Sequence, residues 1–210
     1  MAAVRVLLVM AVVVLILAGA DVAAKRIAEG RIETRARAEV PDTGSVDAHI
    51  ASFPFLARLL VAGSAGNVDL RFEQVPTRPV RLSAVELQLR GVKVDRDALF
   101  SAEASVDSIE RGTVSAEIDA ASLSRALPVP VSIGGGEVRS RVGPLPVSAR
   151  PAVGRGGNLV LRFGGLAHTV SLPRSEVLGC AATRVAVVGD RLRLSCEVDE
   201  VPAPLRGRLR

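Results

Sequence analysis

The sequence predicts an α+β fold in which a strongly curved antiparallel β-sheet wraps around a helix. Long stretches alternate apolar and polar residues with a period of two, which is typical of strands with one buried and one solvated face. Two short helical segments fall between those strands. The apolar side chains are mostly Val, Leu, Ala and Ile, because the 210-residue chain contains five Phe and neither Trp nor Tyr. Branched aliphatic residues favour strands, and a chain of this length can build one complete core.

An unbroken apolar run covers residues 6–20. It is shorter than the roughly 20 residues of a membrane-spanning helix and resembles the apolar core of about 7–15 residues in a signal peptide. Ala18-Gly19-Ala20 has the small side chains that signal peptidase accepts, which predicts cleavage before Asp21. An uncleaved signal anchor is the alternative, but the basic residues between Lys25 and Arg37 would then favour a cytoplasmic location for the following chain. We therefore expect export, with residues 1–20 as signal peptide or signal anchor.

Residues 21–40 predict a charged helix. Ala24, Ala28, Ile32 and Ala36 fall on one narrow face, and most other positions are charged. A solvated stalk with a weak packing face and a helix lying on a membrane surface both fit this pattern. The small side chains of the stripe favour the stalk.

Residues 41–210 form the main predicted domain. A strand over 46–50 precedes a short apolar helix, for which Ser52 is the expected N-cap and Gly63 the expected end. Further strands cover residues 68–72 and 85–89, and changes of phase before Val85 and at Gly91 predict bulges. Asp119 is the expected cap of a second short helix, and residues 185–198 predict a hairpin that turns at Gly189.

The chemistry-bearing residues do not form a recognisable catalytic or metal-binding pattern. His49 and His168 are isolated, and the glycines at 134–136 are not followed by the Lys and Ser or Thr of a phosphate-binding loop. The net charge of +5 and the basic C-terminal sequence 205–210 allow an anionic partner. Nucleic acid is disfavoured because base stacking needs aromatic side chains. We expect no enzymatic activity, no cofactor and no metal.

Cys180 and Cys196 are the two cysteines of the chain. In an exported protein an even pair favours a disulfide, and two buried free thiols are the alternative.

Phe53-Pro54-Phe55-Leu56, the helix that Gly63 ends, and the strand over 68–72 form the most specific pattern. Residues 87–92, 111–118, 123–127 and 185–194 contribute weaker stretches. Together they resemble, over nearly the whole chain, an actinobacterial family of exported phospholipid-binding proteins, formerly a domain of unknown function. This family includes the mycobacterial lipomannan elongation factor.

The resemblance implies a tubular lipid-binding (TULIP or BPI-like) architecture, in which the sheet and helix enclose an apolar lipid groove. It implies a phospholipid-binding, and by extension lipid-shuttling, protein outside the plasma membrane that supports lipoglycan and envelope biogenesis. The expected partners are an anionic phospholipid and a membrane surface; the oligomeric state stays open. A structural or scaffolding envelope protein without a ligand is the alternative.

Apolar residues of the recognised helix and of the central strands are the candidates for lining such a groove, and an ordinary place in the core is the alternative for each of them. The candidates are Phe53, Phe55, Leu56, Leu59, Leu60, Phe72, Leu87 and Leu89. Arg58 and Arg71 are the candidates for the groove rim, where they would face an anionic head group.

Overall fold

A computed structural model of the protein describes residues 2–94, 106–171, 180 and 182–198. The basic sequence at 205–210 lies outside these residues. The first elements are α1 (Ala2–Glu39), β1 (Val46–Ile50), α2 (Phe55–Ala62), β2 (Ser64–Val75) and β3 (Leu82–Val94). They are followed by β4 (Val106–Ser108), β5 (Arg111–Asp119), α3 (Ala120–Ala126), β6 (Val131–Gly134), β7 (Glu137–Val142) and β8 (Leu145–Ala149). The last are β9 (Ala152–Val153), a 3₁₀ turn at Arg155–Gly157, β10 (Leu159–Phe163), β11 (Leu166–Val170), β12 (Arg184–Val188) and β13 (Arg191–Val198).

The predicted α+β class and its large antiparallel sheet are confirmed. The described residues form a seven-stranded sheet of order β1-β2-β3-β5-β13-β12, in which β4 also pairs with β3. Two three-stranded sheets, β6-β7-β8 and β11-β10-β9, complete the strands. The C-terminal hairpin forms as predicted, and its second strand lies between β5 and β12.

The large sheet has one apolar and one polar face because the pairing register aligns the alternation of neighbouring strands. One cross-strand row of the apolar face consists of Ala48, Leu70, Leu87, Val114 and Cys196. The next residue along each strand is polar and points to the opposite face.

α1 is one continuous helix, so the predicted charged helix is the C-terminal half of a longer element. Ala24, Ala28 and Ile32 of the predicted stripe pack against the core, and α1 contacts both β1 and α2. The apolar residues that precede the stripe are exposed from Met10 to Leu17, with Leu15 at 71%. Among the residues that the structure describes, no helix combines the length and hydrophobicity of a membrane crossing.

The predicted bulge at Gly91 is confirmed, since the β2–β3 register shifts between the Gly66–Val92 and Val68–Leu89 pairs. The bulge expected before Val85 is wrong, because the register continues unbroken from Phe72–Val85 to Val75–Leu82. Leu82, Ala84 and Val85 are all buried. Both faces of β3 are covered at this end, so apolar residues occupy both phases without an inserted residue.

A disulfide joins Cys180 to Cys196, with the two Cα atoms 6.2 Å apart. It connects the segment before β12 to the middle of β13. Cys196 lies on the apolar face and is 3% exposed.

Candidate functional site

The candidate site is the β1–β3 half of the apolar face of the large sheet, next to α1 and α2. α2 packs against β2, and α1 packs against β1 and α2. Phe72 and Leu87 lie on this face and are only partly buried. Leu70, which pairs with Leu87 and precedes Phe72 by two residues in β2, is 4% exposed. Partly buried apolar surface therefore extends across two adjacent central strands.

The structure divides the predicted lining residues into three groups. Phe55 and Leu89 are core residues, 3% and 2% exposed, so the alternative interpretation applies to them. Leu56, Leu59, Phe72 and Leu87 are partly buried against the core. Phe53 and Leu60 are 74% and 56% exposed and point away from the core.

The two arginines predicted for the rim lie in different places. Arg58 is an exposed residue of α2, and a Cβ atom at Gly66 would lie 3.6 Å from its Nη1 atom. Arg58 thus lies over the start of β2, at the α2 end of the sheet. Arg71 is on the polar face, where its Nη1 atom donates to Glu86 Oε1 at 2.6 Å. Strand alternation requires this, because Phe72 is the next residue and points to the apolar face.

α2 is capped by a residue that the sequence analysis did not identify. Asp21 of α1 accepts hydrogen bonds from the backbone N–H groups of Phe55 at 3.0 Å and Leu56 at 2.6 Å. Asp21 is 5% exposed, so the carboxylate is paired with two N–H groups of the first turn. The predicted N-cap Ser52 is wrong: Pro54 occupies that position, and the buried Ser52 hydroxyl has no hydrogen-bond partner within the described residues. The predicted end at Gly63 is confirmed, since its φ of 60° is left-handed.

Two further carboxylates of α1 pair with the edge strand β1. Glu29 accepts a hydrogen bond from the Ile50 N–H at 2.8 Å, and Glu33 accepts one from the Ala48 N–H at 3.1 Å. Four residues of a helix rise about 6 Å, and two residues of a strand rise about 6.7 Å. The spacing of the two Glu residues therefore matches alternate outward N–H groups of β1, and the helix protects an edge that would otherwise be unpaired.

Asp21, Glu29 and Glu33 had a signal in the sequence. They lie eight and four residues apart, directly beside the apolar stripe of Ala24, Ala28 and Ile32. Acidic residues at this spacing share the packing face of the helix. The sequence did not show which N–H groups these carboxylates bind, because those groups belong to residues far along the chain.

The polar face has an ion-pair network centred on Glu117. Arg193 Nη2 donates to one carboxylate oxygen at 2.6 Å and Arg191 Nη1 to the other at 3.1 Å. Burial raises the pKa of the Glu117 carboxyl, but the hydrogen bonds from Arg193 and Arg191 outweigh this effect and hold the pKa below its usual value. The network joins β5 to β13, strands that are adjacent in space only.

Two clefts open beside the large sheet. One of about 370 Å³ has Arg81, Arg125 and Arg191 in its lining, at the end of the sheet where α3 begins. The other, of about 350 Å³, has Asp47, Asp69 and Glu86 in its lining. Neither cleft is lined by Phe72, Leu87, Leu56 or Leu59, although Ala48 and Leu70 of the apolar row line the second.

One of the comparisons with known proteins gives an assignment. A family model described as LmeA-like phospholipid-binding matches residues 19–208. Comparison with curated proteins and with solved structures gives no match.

Proposed function

Because the chain belongs to the LmeA-like phospholipid-binding family, we propose that it holds a phospholipid with its acyl chains against the apolar face of the large sheet. The observation that carries this placement is the partial exposure of Phe72 and Leu87 on a face where Leu70, Val114 and Leu194 are buried. Each methylene that an acyl chain buries there contributes about 0.8 kcal/mol. Leu56 and Leu59 of α2 are partly buried against the same core, toward the start of β2.

The proposed architecture is the tubular one that encloses lipid between a curved sheet and a helix. An open antiparallel sheet with α2 packed on β2 is compatible with it. Arg58 is the proposed contact for an anionic head group, since it is exposed at the same end of the sheet as α2.

The proposed location is outside the plasma membrane, with the apolar segment 6–20 associated with the lipid. The exposure of Met10, Leu15, Ile16 and Leu17, at 58–71%, supports this part of the proposal. The family match begins at residue 19, near the end of that segment. A protein that takes phospholipid from a membrane in this way would supply or move lipid for envelope and lipoglycan assembly.

Photo-cross-linking tests the placement of the lipid. Purified protein is loaded with a phospholipid that has a diazirine in its acyl chain, irradiated and mapped by peptide mass spectrometry. We expect labels on the peptides that contain Phe72 and Leu87. Labels confined to residues 6–20 would contradict the placement and favour an envelope protein that touches lipid only through its apolar segment.

A further inference from the structure

Two large apolar side chains at α2 are exposed at the same end of the molecule. Phe53, just before the helix, is 74% exposed and Leu60 is 56% exposed, whereas Phe55 between them is 3% exposed. α2 therefore has one side in the core and another with apolar residues facing outward. Exposed apolar surface of this kind marks an interaction site when it adjoins more of the same surface.

The order of contacts along α1 shows where this surface lies. Asp21 is at the first turn of α2, Glu29 is at Ile50, and Glu33 is at Ala48. α1 therefore runs along β1 toward Val46, and its residues before Asp21 extend beyond the opposite end, where α2 lies. Eight residues of helix between Asp21 and Glu29 correspond to about 12 Å along the axis.

The exposed apolar residues 10–17 thus project past the end of the sheet where Phe53 and Leu60 are found. Leu17 precedes Asp21 by one helical turn, which is about 5–6 Å along α1. Both apolar surfaces lie at this end, where α1 and α2 contact each other. Arg26 of α1 and Arg58 of α2 are exposed on the same two helices, and such residues are attracted by anionic head groups.

We propose that Phe53 and Leu60 form a bilayer-docking surface, which places the α2 end of the domain against the leaflet that residues 6–20 enter. The occupant is the lipid bilayer, because the adjoining α1 surface is apolar and the flanking charges are basic. This inference rests on the proposed function and deepens it, since a domain docked in this way can exchange lipid without leaving the membrane.

Tryptophan fluorescence in brominated vesicles tests the proposal. The chain contains no Trp, so Phe53→Trp gives a single reporter in the full-length protein. The vesicles contain phosphatidylcholine and phosphatidylglycerol, with or without bromine on the acyl chains. We expect a blue-shifted emission and at least twofold quenching by the brominated lipid. The Leu60→Trp variant repeats the test at the second position and decides it should Phe53→Trp fail to fold.

Leu145→Trp is the matched control. Leu145 is 67% exposed, close to the value for Phe53, but it lies in β8. The sheet of β8 joins α3 through β6, at the end of the large sheet opposite α2. We expect no quenching there.

Equal quenching at residues 53, 60 and 145, or quenching at none of them, would overturn the proposal. A blue shift at residue 53 without bromine quenching, together with a doubled mass in solution, would assign the surface to a second copy of the chain and also overturn it. If docking fails while the acyl-chain cross-links to β2 and β3 persist, the proposed function stands without this inference. If the cross-links fail as well, both are wrong.

Discussion

Asp21 accepts a hydrogen bond of 2.6 Å from the backbone N–H of Leu56, 35 residues along the chain. This contact and its partner from Phe55 join the start of the charged half of α1 to the first turn of α2. The position of α2 over the apolar face therefore depends on a carboxylate of another helix. Its removal should affect both stability and the position of α2.

Asp21→Ala should lower the free energy of unfolding by about 1–3 kcal/mol, because it removes the cap and leaves buried N–H groups unpaired. Asp21→Asn should lower the free energy of unfolding by less, since its side-chain carbonyl oxygen can still accept a hydrogen bond. Chemical denaturation measures the loss, and amide hydrogen exchange at Phe55 and Leu56 shows its location. Asp190→Ala, at a side chain that is 91% exposed, is the control and should change stability by less than about 0.5 kcal/mol. Unchanged exchange at Phe55 and Leu56 in Asp21→Ala would contradict the capping role.

Glu29→Ala and Glu33→Ala should expose the edge of β1. Each variant removes the acceptor of one strand N–H group, so exchange should accelerate at Ile50 in the first and at Ala48 in the second, by about 5–10-fold for a hydrogen bond worth about 1 kcal/mol. Hydrogen exchange followed by NMR resolves the two amides. Glu39→Ala, at an exposed position of the same helix, should leave both rates unchanged. The same acceleration in all three variants would mean that the helix is merely loosened.

Glu117→Gln should change how stability depends on pH. The folded-state pKa of Glu117 is depressed, so its contribution is present at neutral pH and is lost as the pH falls through that pKa, below about 4.5. The free energy of unfolding of the variant should be lower by about 1–2 kcal/mol at pH 7. The loss is moderate because Arg191 and Arg193 regain contact with solvent. Its stability should also fall less than that of the unmodified protein on acidification. Parallel stability curves for the two proteins between pH 6 and pH 3 (a range of about three units around the carboxylate pKa) would refute this assignment.

Loss of the disulfide should destabilise the C-terminal hairpin. Cys180 and Cys196 are 16 residues apart. A disulfide that closes a loop of about 15 residues stabilises the folded protein by about 3 kcal/mol. The Cys180→Ser and Cys196→Ser double variant should unfold at a lower denaturant concentration than the oxidised protein. A reducing agent should lower the midpoint of the unmodified protein and leave that of the variant unchanged. A reductant effect on the variant would show that the loss does not come from this bond.

Local patterns predicted the elements whose causes are local. The strand alternation gave β1, β2 and the β12–β13 hairpin, and Asp119 caps α3 through the Ser122 N–H at 2.6 Å, three residues away. The same alternation places Arg71 on the opposite face of the sheet from its neighbour Phe72. The prediction that Arg71 lies at the rim of the apolar groove contradicted this pattern.

Contacts between distant segments were not predictable in this way. Ser52 was the expected cap of α2 because it is adjacent in sequence, but the buried Asp21 carboxylate is the stronger acceptor and occupies the first turn instead. The Glu117 network likewise required β13 to lie beside β5, and Arg191 is 74 residues from Glu117. The candidate lining residues differ in burial for the same reason. Alternation places Leu87 on the apolar face, but it does not show how fully other elements cover that side chain.

Native mass spectrometry of the protein purified from membranes shows whether lipid occupies the apolar face. We predict an added mass that corresponds to a phospholipid, confirmed by extraction, and a reduced bound fraction in a Phe72→Gln and Leu87→Gln double variant. Val160→Gln, at a partly buried residue of β10, is the matched control and should retain the lipid. A folded protein that carries no phospholipid and takes up none from vesicles, or a double variant that binds as well as the unmodified chain, would contradict the claim that lipid lies against the apolar face.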